Sequence, residues 1–238
     1  MNINKLRKVN LNLQKDRIKK GEAVKIINYL LETKYVYNFD WLGIPSIQFP
    51  SDLMVFQEVI YNYKPDVIIE TGVAHGGSLI FYSSIMSLIK KKFKVFGIDI
   101  KIKKKNRIKI SKHPLAQNIE LIEKSSTDES LKAFFDKKIK NSKVLVFLDS
   151  NHSHEHVLNE IKLYSKYIKK NGYLVVMDTT TEFVKKKFIN KGRNFGKGNS
   201  PFTAVKEFLK TDKSFIIDKY YEDKSFITSC FSGFLRKR

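Results

Sequence analysis

Four carboxylates stand at the ends of short apolar runs: Glu70 after Asp66-Val-Ile-Ile, Asp99 after Phe93-Lys-Val-Phe-Gly-Ile, Asp149 after Lys143-Val-Leu-Val-Phe-Leu, and Asp178 after Tyr173-Leu-Val-Val-Met. Each is followed by groups able to do chemistry. Glu70-Thr71-Gly72 leads into Gly76-Gly77-Ser78. Glycines at such a turn let the backbone approach a ligand closely and expose the N–H groups of a helix start. A dinucleotide fold would show G-x-G-x-x-G. The Glu-x-Gly-x-x-x-Gly-Gly pattern suits instead a nucleoside with a charged amino-acid tail, with Glu70 either accepting from the tail's ammonium or orienting the turn. Asp99 is placed to accept both hydroxyls of a ribose, a role shared by binders of NAD and of S-adenosylmethionine (SAM). Asp149 and Asp178 form a pair of hard oxygen ligands suited to Mg²⁺ if their strands are neighbours. His152, just past Asp149, is positioned to take a proton from a hydroxyl held there. His154 and His156 point away from one common site at helical spacing, and no H-E-x-x-H pattern supports zinc.

These residues need a scaffold that brings strand ends together. Apolar runs at 66–70, 93–100, 119–123, 143–149 and 173–178 alternate with helical patterns at about 77–91, 127–139 and 153–169. Continuous apolar strands alternating with helices predict an α/β doubly wound, mostly parallel Rossmann-like sheet covered on both faces. In such a sheet ligands bind at the carboxyl ends of the strands, where the four acids lie. After a glycine-rich loop at 190–199, Pro201 opens a helix through Leu209. Strand-like runs at 215–220 and 226–235 close the chain and predict an antiparallel C-terminal edge strand, seven strands in all. Upstream, 22–32 has helical spacing, and Ser51 or Asp52 is a candidate cap for a helix over 52–63. Residues 1–20 read as a weak amphipathic helix or a frayed arm. Residues 1–50 are thus an N-terminal helical extension and active-site cover loop, and 51–238 the ligand-binding domain.

Composition narrows the class. A chain of 238 residues with 42% apolar content builds a core, despite a formal charge of +21. Only six of its 45 cations are Arg (Arg7, Arg17, Arg107, Arg193, Arg236 and Arg238), leaving 39 Lys. Proteins that grip phosphate or base edges favour the bidentate Arg fork, so DNA is not an expected partner and RNA is disfavoured. The clusters at 101–105 and in the loop 180–200 (Lys185, Lys186, Lys187, Lys191, Arg193 and Lys197) are placed to draw in an anionic acceptor. Cys230 is the only cysteine, which points to a reducing, cytoplasmic setting. No secretory leader is read at residues 1–8. Thr71–Ile89 is uncharged, but its glycines and serines make it a poor bilayer span, so no transmembrane segment is expected.

Together these residues resemble the cephalosporin hydroxylase/rhamnosyl O-methyltransferase family of class I SAM-dependent methyltransferases. The pieces arrive in order over about 38–237: Trp41-Leu-Gly-Ile-Pro, Phe49-Pro-Ser-Asp52-Leu, Gln57-Glu58, Lys64 to Gly72 with Gly76-Gly77-Ser78, Gly97-Ile-Asp99-Ile, Leu148-Asp149-Ser-Asn-His152-Ser with His156-Val-Leu, Gly172 to Asp178-Thr, Pro201 with Ala204-Val205 and Glu207-Phe-Leu, and Gly233-Phe-Leu-Arg. The resemblance implies a seven-stranded methyltransferase sheet and a SAM-dependent O-methyltransferase acting on a sugar hydroxyl of a surface glycan or glycan precursor. It implies that Glu70, Gly72, Gly76, Gly77, Ser78 and Asp99 hold SAM, with Ser125 and Ser126 near the adenine. It implies Mg²⁺ on Asp149 and Asp178, His152 as general base, a carbohydrate acceptor and a homo-oligomer, while the basic loop 180–200 suits an acceptor that is anionic or phosphate-linked. Two positions depart from the family pattern. Met177 stands where an acid is common, and a thioether is a poor Mg²⁺ ligand, so water or Glu182 would have to fill in. Lys124 replaces a glycine before the serine pair. An RNA-modifying methyltransferase and a SAM-binding protein without catalysis are the alternatives.

Overall fold

Helices cover both faces of one seven-stranded sheet because its strands alternate their side chains between two apolar layers. The computed structural model describes residues 2–14, 17–188 and 192–238. The strands are β3 (Val67–Thr71), β4 (Lys94–Asp99), β5 (Ile119–Glu123), β6 (Val144–Leu148), β7 (Tyr173–Val176), β8 (Phe215–Ile217) and β9 (Phe234–Lys237), in the order β5-β4-β3-β6-β7-β9-β8. A separate two-stranded hairpin, β1 (Asp40–Trp41) with β2 (Ile44–Pro45), precedes them. Strands β3 to β7 pair in parallel, and β9 runs antiparallel to both β7 and β8. The antiparallel C-terminal strand is therefore present at this end of the sheet, one position in from the rim. Sheet order reverses between β3 and β6, the switch point at which such folds open a crevice.

Alternation assigns the two layers. Ile68, Val95, Leu145, Phe147, Val175 and Phe234 face α3 (Pro50–Tyr63), α4 (Gly77–Ile89) and Tyr221 of α9 (Lys219–Ser225). Ile69, Phe96, Ile98, Val146, Leu174 and Leu235 face α6 (Ser130–Lys138), α7 (His154–Tyr164) and α8 (Pro201–Thr211). Two more helices, α1 (Ile3–Gln14) and α2 (Arg17–Glu32), lie upstream, and α5 (Lys104–Ser111) follows β4. A third apolar cluster ties Ala23 and Ile27 of α2 to Phe49, Val184 and Phe231. Among the described residues no helix is long and apolar enough to cross a membrane.

Three local expectations are corrected. Neither Ser51 nor Asp52 caps α3: the helix starts at Pro50, with Phe49 at the cap position and no side-chain cap bond. Proline at the first helical position is preset for this start. The segment 219–225 is helical, begun by Asp218, which accepts from the Tyr220 N–H at 3.1 Å, so the run 215–220 is strand only over 215–217, and the last strand is 234–237 rather than 226–235. Lysine-rich 104–111 is helical where no helix was expected. Trp41 is core cover, edge-on to Phe81 at 4.8 Å, with its indole N–H bonded to Ser84.

Candidate active site

The glycine turn after β3 is packed more tightly than a bare ligand loop would require. A side chain on Gly72, at φ +87°, would meet the Asp149 carbonyl at 2.0 Å, and one on Gly77 would meet the Pro45 carbonyl at 2.4 Å. Glycine here lets the β6 end and the β1–β2 hairpin approach the turn closely. Gly76 is hemmed in likewise by Ile110. Residues Gly72 to Ser78, Asp149, Pro45, Ile47 and Gln48 together line a narrow cleft.

Beneath this turn Glu70 is fully buried. One carboxylate oxygen accepts from Ser78 Oγ at 2.7 Å, the other from Tyr82 OH at 3.0 Å. Both bonds tie Glu70 to α4, the helix that the turn opens. Burial raises the Glu70 carboxyl to about 8 against those two bonds, with a smaller push from Asp99. Asp99 ends β4 and pins the same turn: Oδ2 accepts from the N–H of Val73 at 2.9 Å and of Ala74 at 3.3 Å, and Oδ1 accepts from Lys101 N–H at 3.1 Å. Ser125 bonds Thr127, while buried Ser126 bonds His156 Nε2 at 2.9 Å. His156 also reaches Ser150 at 3.2 Å, so it links the loop after β5 to the loop after β6. His154 links helices instead, through Thr203 at 2.8 Å and Glu207 at 3.0 Å.

Asp149, His152 and Asp178 do come together. One ligand atom from each lies within 4.8 Å of the others. His152 Nε2 is 3.2 Å from Asp178 Oδ2. Gln48 Nε2 donates to Asp149 Oδ2 at 2.9 Å. The Asp149 carboxyl is pushed well above its ordinary range by burial first, then by the facing charges of Asp178 and Glu70. Two opposed carboxylates are hard oxygen donors that a divalent cation relieves and joins, so Asp149 and Asp178 fit Mg²⁺, with His152 beside them. Met177 is buried in the apolar layer under α3 and α4, away from this cluster. Glu182 does not fill its place: it accepts from Ser200 Oγ at 2.6 Å and Gly198 N–H at 3.0 Å, holding the start of α8.

A groove of about 500 Å³ is lined by Asn151 and Ser153, which flank His152 in the chain, and by Glu155, Arg193, Phe195 and Asn199 among others. Phe195 sets its ring edge-on to His152 at 5.0 Å. Of the cationic loop, Lys187 turns to Glu32 at 3.4 Å, the Lys185 N–H bonds Asn28 on α2, and Lys191 lies outside the described residues. The sequence reading missed Gln48, Tyr82 and Phe195. Gln48 sits between two recognisable pieces of the pattern, and that position was its only signal.

A family model described as rhamnosyl O-methyltransferase/CmcI matches residues 33–238. Curated relatives include the rhamnosyl O-methyltransferase of Mycobacterium leprae (strain TN), 33% identical over 142 residues, covering 58% of this chain and 59% of the relative. That of Mycobacterium tuberculosis (strain ATCC 25618 / H37Rv) is 33% identical over 153 residues, covering 63% and 59%. The chain thus matches less than two thirds of the length of these relatives. A solved structure of CmcI with Mg and SAM shares the fold, at a TM-score of 0.59 and 18% identity, covering 85% of this chain and 77% of that one. The order of strands, the acids at their ends and the matched length converge on one conclusion: the chain belongs to the rhamnosyl O-methyltransferase/CmcI family.

Proposed function

We propose that the protein is a SAM-dependent O-methyltransferase that methylates a sugar hydroxyl of a glycan or glycan precursor. The observation that carries this reading is that the Asp149–His152–Asp178 cluster adjoins two clefts: Asp149 lines the glycine-turn cleft, and Phe195, edge-on to His152, lines the groove. Family membership and the names of the mycobacterial relatives support the sugar acceptor.

When bound, SAM supplies a methyl group on a sulfonium, already a good leaving group, and a Mg²⁺ ion supplies Lewis-acid polarisation of the acceptor hydroxyl. The chain's own task is then alignment and removal of one proton. Gly72, Gly76 and Gly77 shape the cofactor wall. Glu70 and Ser78 fix it from below, Asp99 holds its rim, and Ser125 and Ser126 flank the adenine side. Asp149 and Asp178 hold the cation, with Gln48 orienting Asp149. His152, whose Nε2 lies 3.2 Å from Asp178 Oδ2, accepts the hydroxyl proton. The groove's mixture of amides, one acid, one guanidinium and one aromatic ring suits a sugar ring better than a bare phosphate. In this reading 51–238 is the methyltransferase unit, and the 1–50 extension contributes the cover loop carrying Gln48.

Transfer of labelled methyl from SAM to fractionated glycans of the source cell tests the reading. Label is expected in a glycan fraction and absent with His152→Ala. Label in RNA alone, or a protein that binds SAM and labels neither, would overturn it.

A further inference from the structure

Pro50-Ser51-Asp52 opens α3, yet neither Ser51 nor Asp52 serves the helix it opens. Ser51 Oγ donates to the Ile227 carbonyl. Asp52, fully buried, accepts through Oδ2 from both the N–H and the Oγ of Ser229, each at 2.8 Å. A carboxylate taken wholly out of water is costly, and a hydroxyl would tether a loop more cheaply. What Ser229 does next supplies a reason. Its carbonyl accepts from Thr179 Oγ1 at 3.1 Å and from the Thr180 N–H at 3.3 Å. Four residues on, the Gly233 carbonyl accepts from the Val176 N–H at 2.8 Å. The segment 228–233 thus clasps the end of β7 before and after Asp178.

Asp178 needs such a clasp. It sits at φ 51°, ψ 23°, a left-handed conformation unfavourable for a residue with a side chain, and such a turn persists only where its surroundings enforce it. Thr179, Thr180, Thr228 and Ser229 are all buried, so the linkage from Asp52 to the turn is shielded from water throughout. Burial lifts the Asp52 carboxyl to about 6 against the bonds from Ser229 and Thr228, and the charge of Asp178 adds to the rise.

We propose that Asp52 is a positioning residue for Asp178: through Ser229 and Thr179 it holds the left-handed turn that aims the Asp178 carboxylate at Asp149 and His152. The linkage is a property of the chain itself, while its consequence for cation binding rests on the function proposed for the cluster.

The test compares Asp52→Ala, Asp52→Asn and Thr179→Val in the full chain. Asp52→Ala should speed amide hydrogen exchange over 178–184 by about tenfold or more, while β6 stays as protected as in the wild type. It should lower kcat, and weaken Mn²⁺ binding followed by electron paramagnetic resonance without SAM, by about 10- to 100-fold. KM for SAM should stay within about twofold, since the cofactor wall is untouched. Asp52→Asn keeps an acceptor oxygen for Ser229 and should return kcat to within about threefold of the wild type. If Asp52→Ala folds poorly, Thr179→Val, which removes one bond of the linkage, should shift exchange and kcat in the same direction. Wild-type exchange at 178–184 in a folded Asp52→Ala or Thr179→Val protein would overturn the proposal, as would an Asp52→Asn protein no faster than Asp52→Ala. A wild type that binds no Mn²⁺ and turns over in EDTA would remove the cation from the cluster, and the exchange result would still decide the linkage.

Discussion

Glu70 and Asp149 end adjacent parallel strands, and burial lifts both above the usual carboxylate range, yet they are built for opposite purposes. Glu70 is sealed, with each oxygen satisfied by a hydroxyl of α4. Asp149 is half-buried, takes a single amide bond from Gln48 and faces a second acid. The first arrangement is complete without any ligand. The second is short of positive charge. A raised carboxyl therefore marks a functional site only when its partners leave something undone.

The comparison is broken most sharply at His152. His152→Ala should cut single-turnover methyl transfer by about 10²- to 10⁴-fold, the worth of a positioned base, with SAM affinity by calorimetry nearly unchanged. A comparable loss of SAM affinity would place His152 in the cofactor wall instead. Next comes Glu70. Removing it leaves Ser78 and Tyr82 unpaired in a dry site, so Glu70→Ala should cost on the order of 3 kcal/mol in denaturant unfolding. Its raised pKa also has a sign. The folded protein binds the Glu70 proton more tightly than the unfolded chain, so this contribution to stability is fully present below the unfolded value of 4.5 and is lost as pH rises through about 8. Glu70→Gln, which mimics the protonated form, should flatten that fall. Unfolding curves at pH 5, 7 and 8.5 that run parallel for the wild type and Glu70→Gln would refute the assignment.

On the open side, EDTA should lower turnover by about tenfold or more, with Mg²⁺ restoring it in the wild type and failing to do so in Asp149→Asn. Full activity in EDTA would leave Asp149 a purely structural acid. The smallest effect belongs to the groove. Phe195→Ala should raise the acceptor KM about three- to tenfold, the worth of one aromatic contact, and leave KM for SAM alone. A change in SAM KM instead would show that Phe195 serves the cofactor side.

The sheet was legible because four of its strands, β3, β4, β6 and β7, lie in apolar runs that end at an acid, and the acids plus His152 followed from those ends. What escaped did so for physical reasons. The lysines of α5 hide a helix anchored by Ile110 and Asn106 alone. Tyr220 and Tyr221 mimic a strand, yet Asp218 turns that segment into α9. Asp52 and Ser78 have side chains that suit a cap or a ligand equally well, and only their partners, 177 and 8 residues away, decide the matter. Gln48 acts across 101 residues, a distance over which no local pattern speaks.

The insertion of β9 between β7 and β8 has a consequence for how the molecule comes into being. During synthesis β3 to β7 emerge first and can pair among themselves. Until β9 arrives, β8 has no partner and β7 shows an open edge of unpaired backbone groups, a surface prone to wrong pairings. The residues that clasp the Asp178 turn lie just before β9. A growing chain therefore completes its glycine turn well before its acidic cluster, and the capacity to act should appear only with the closing strand.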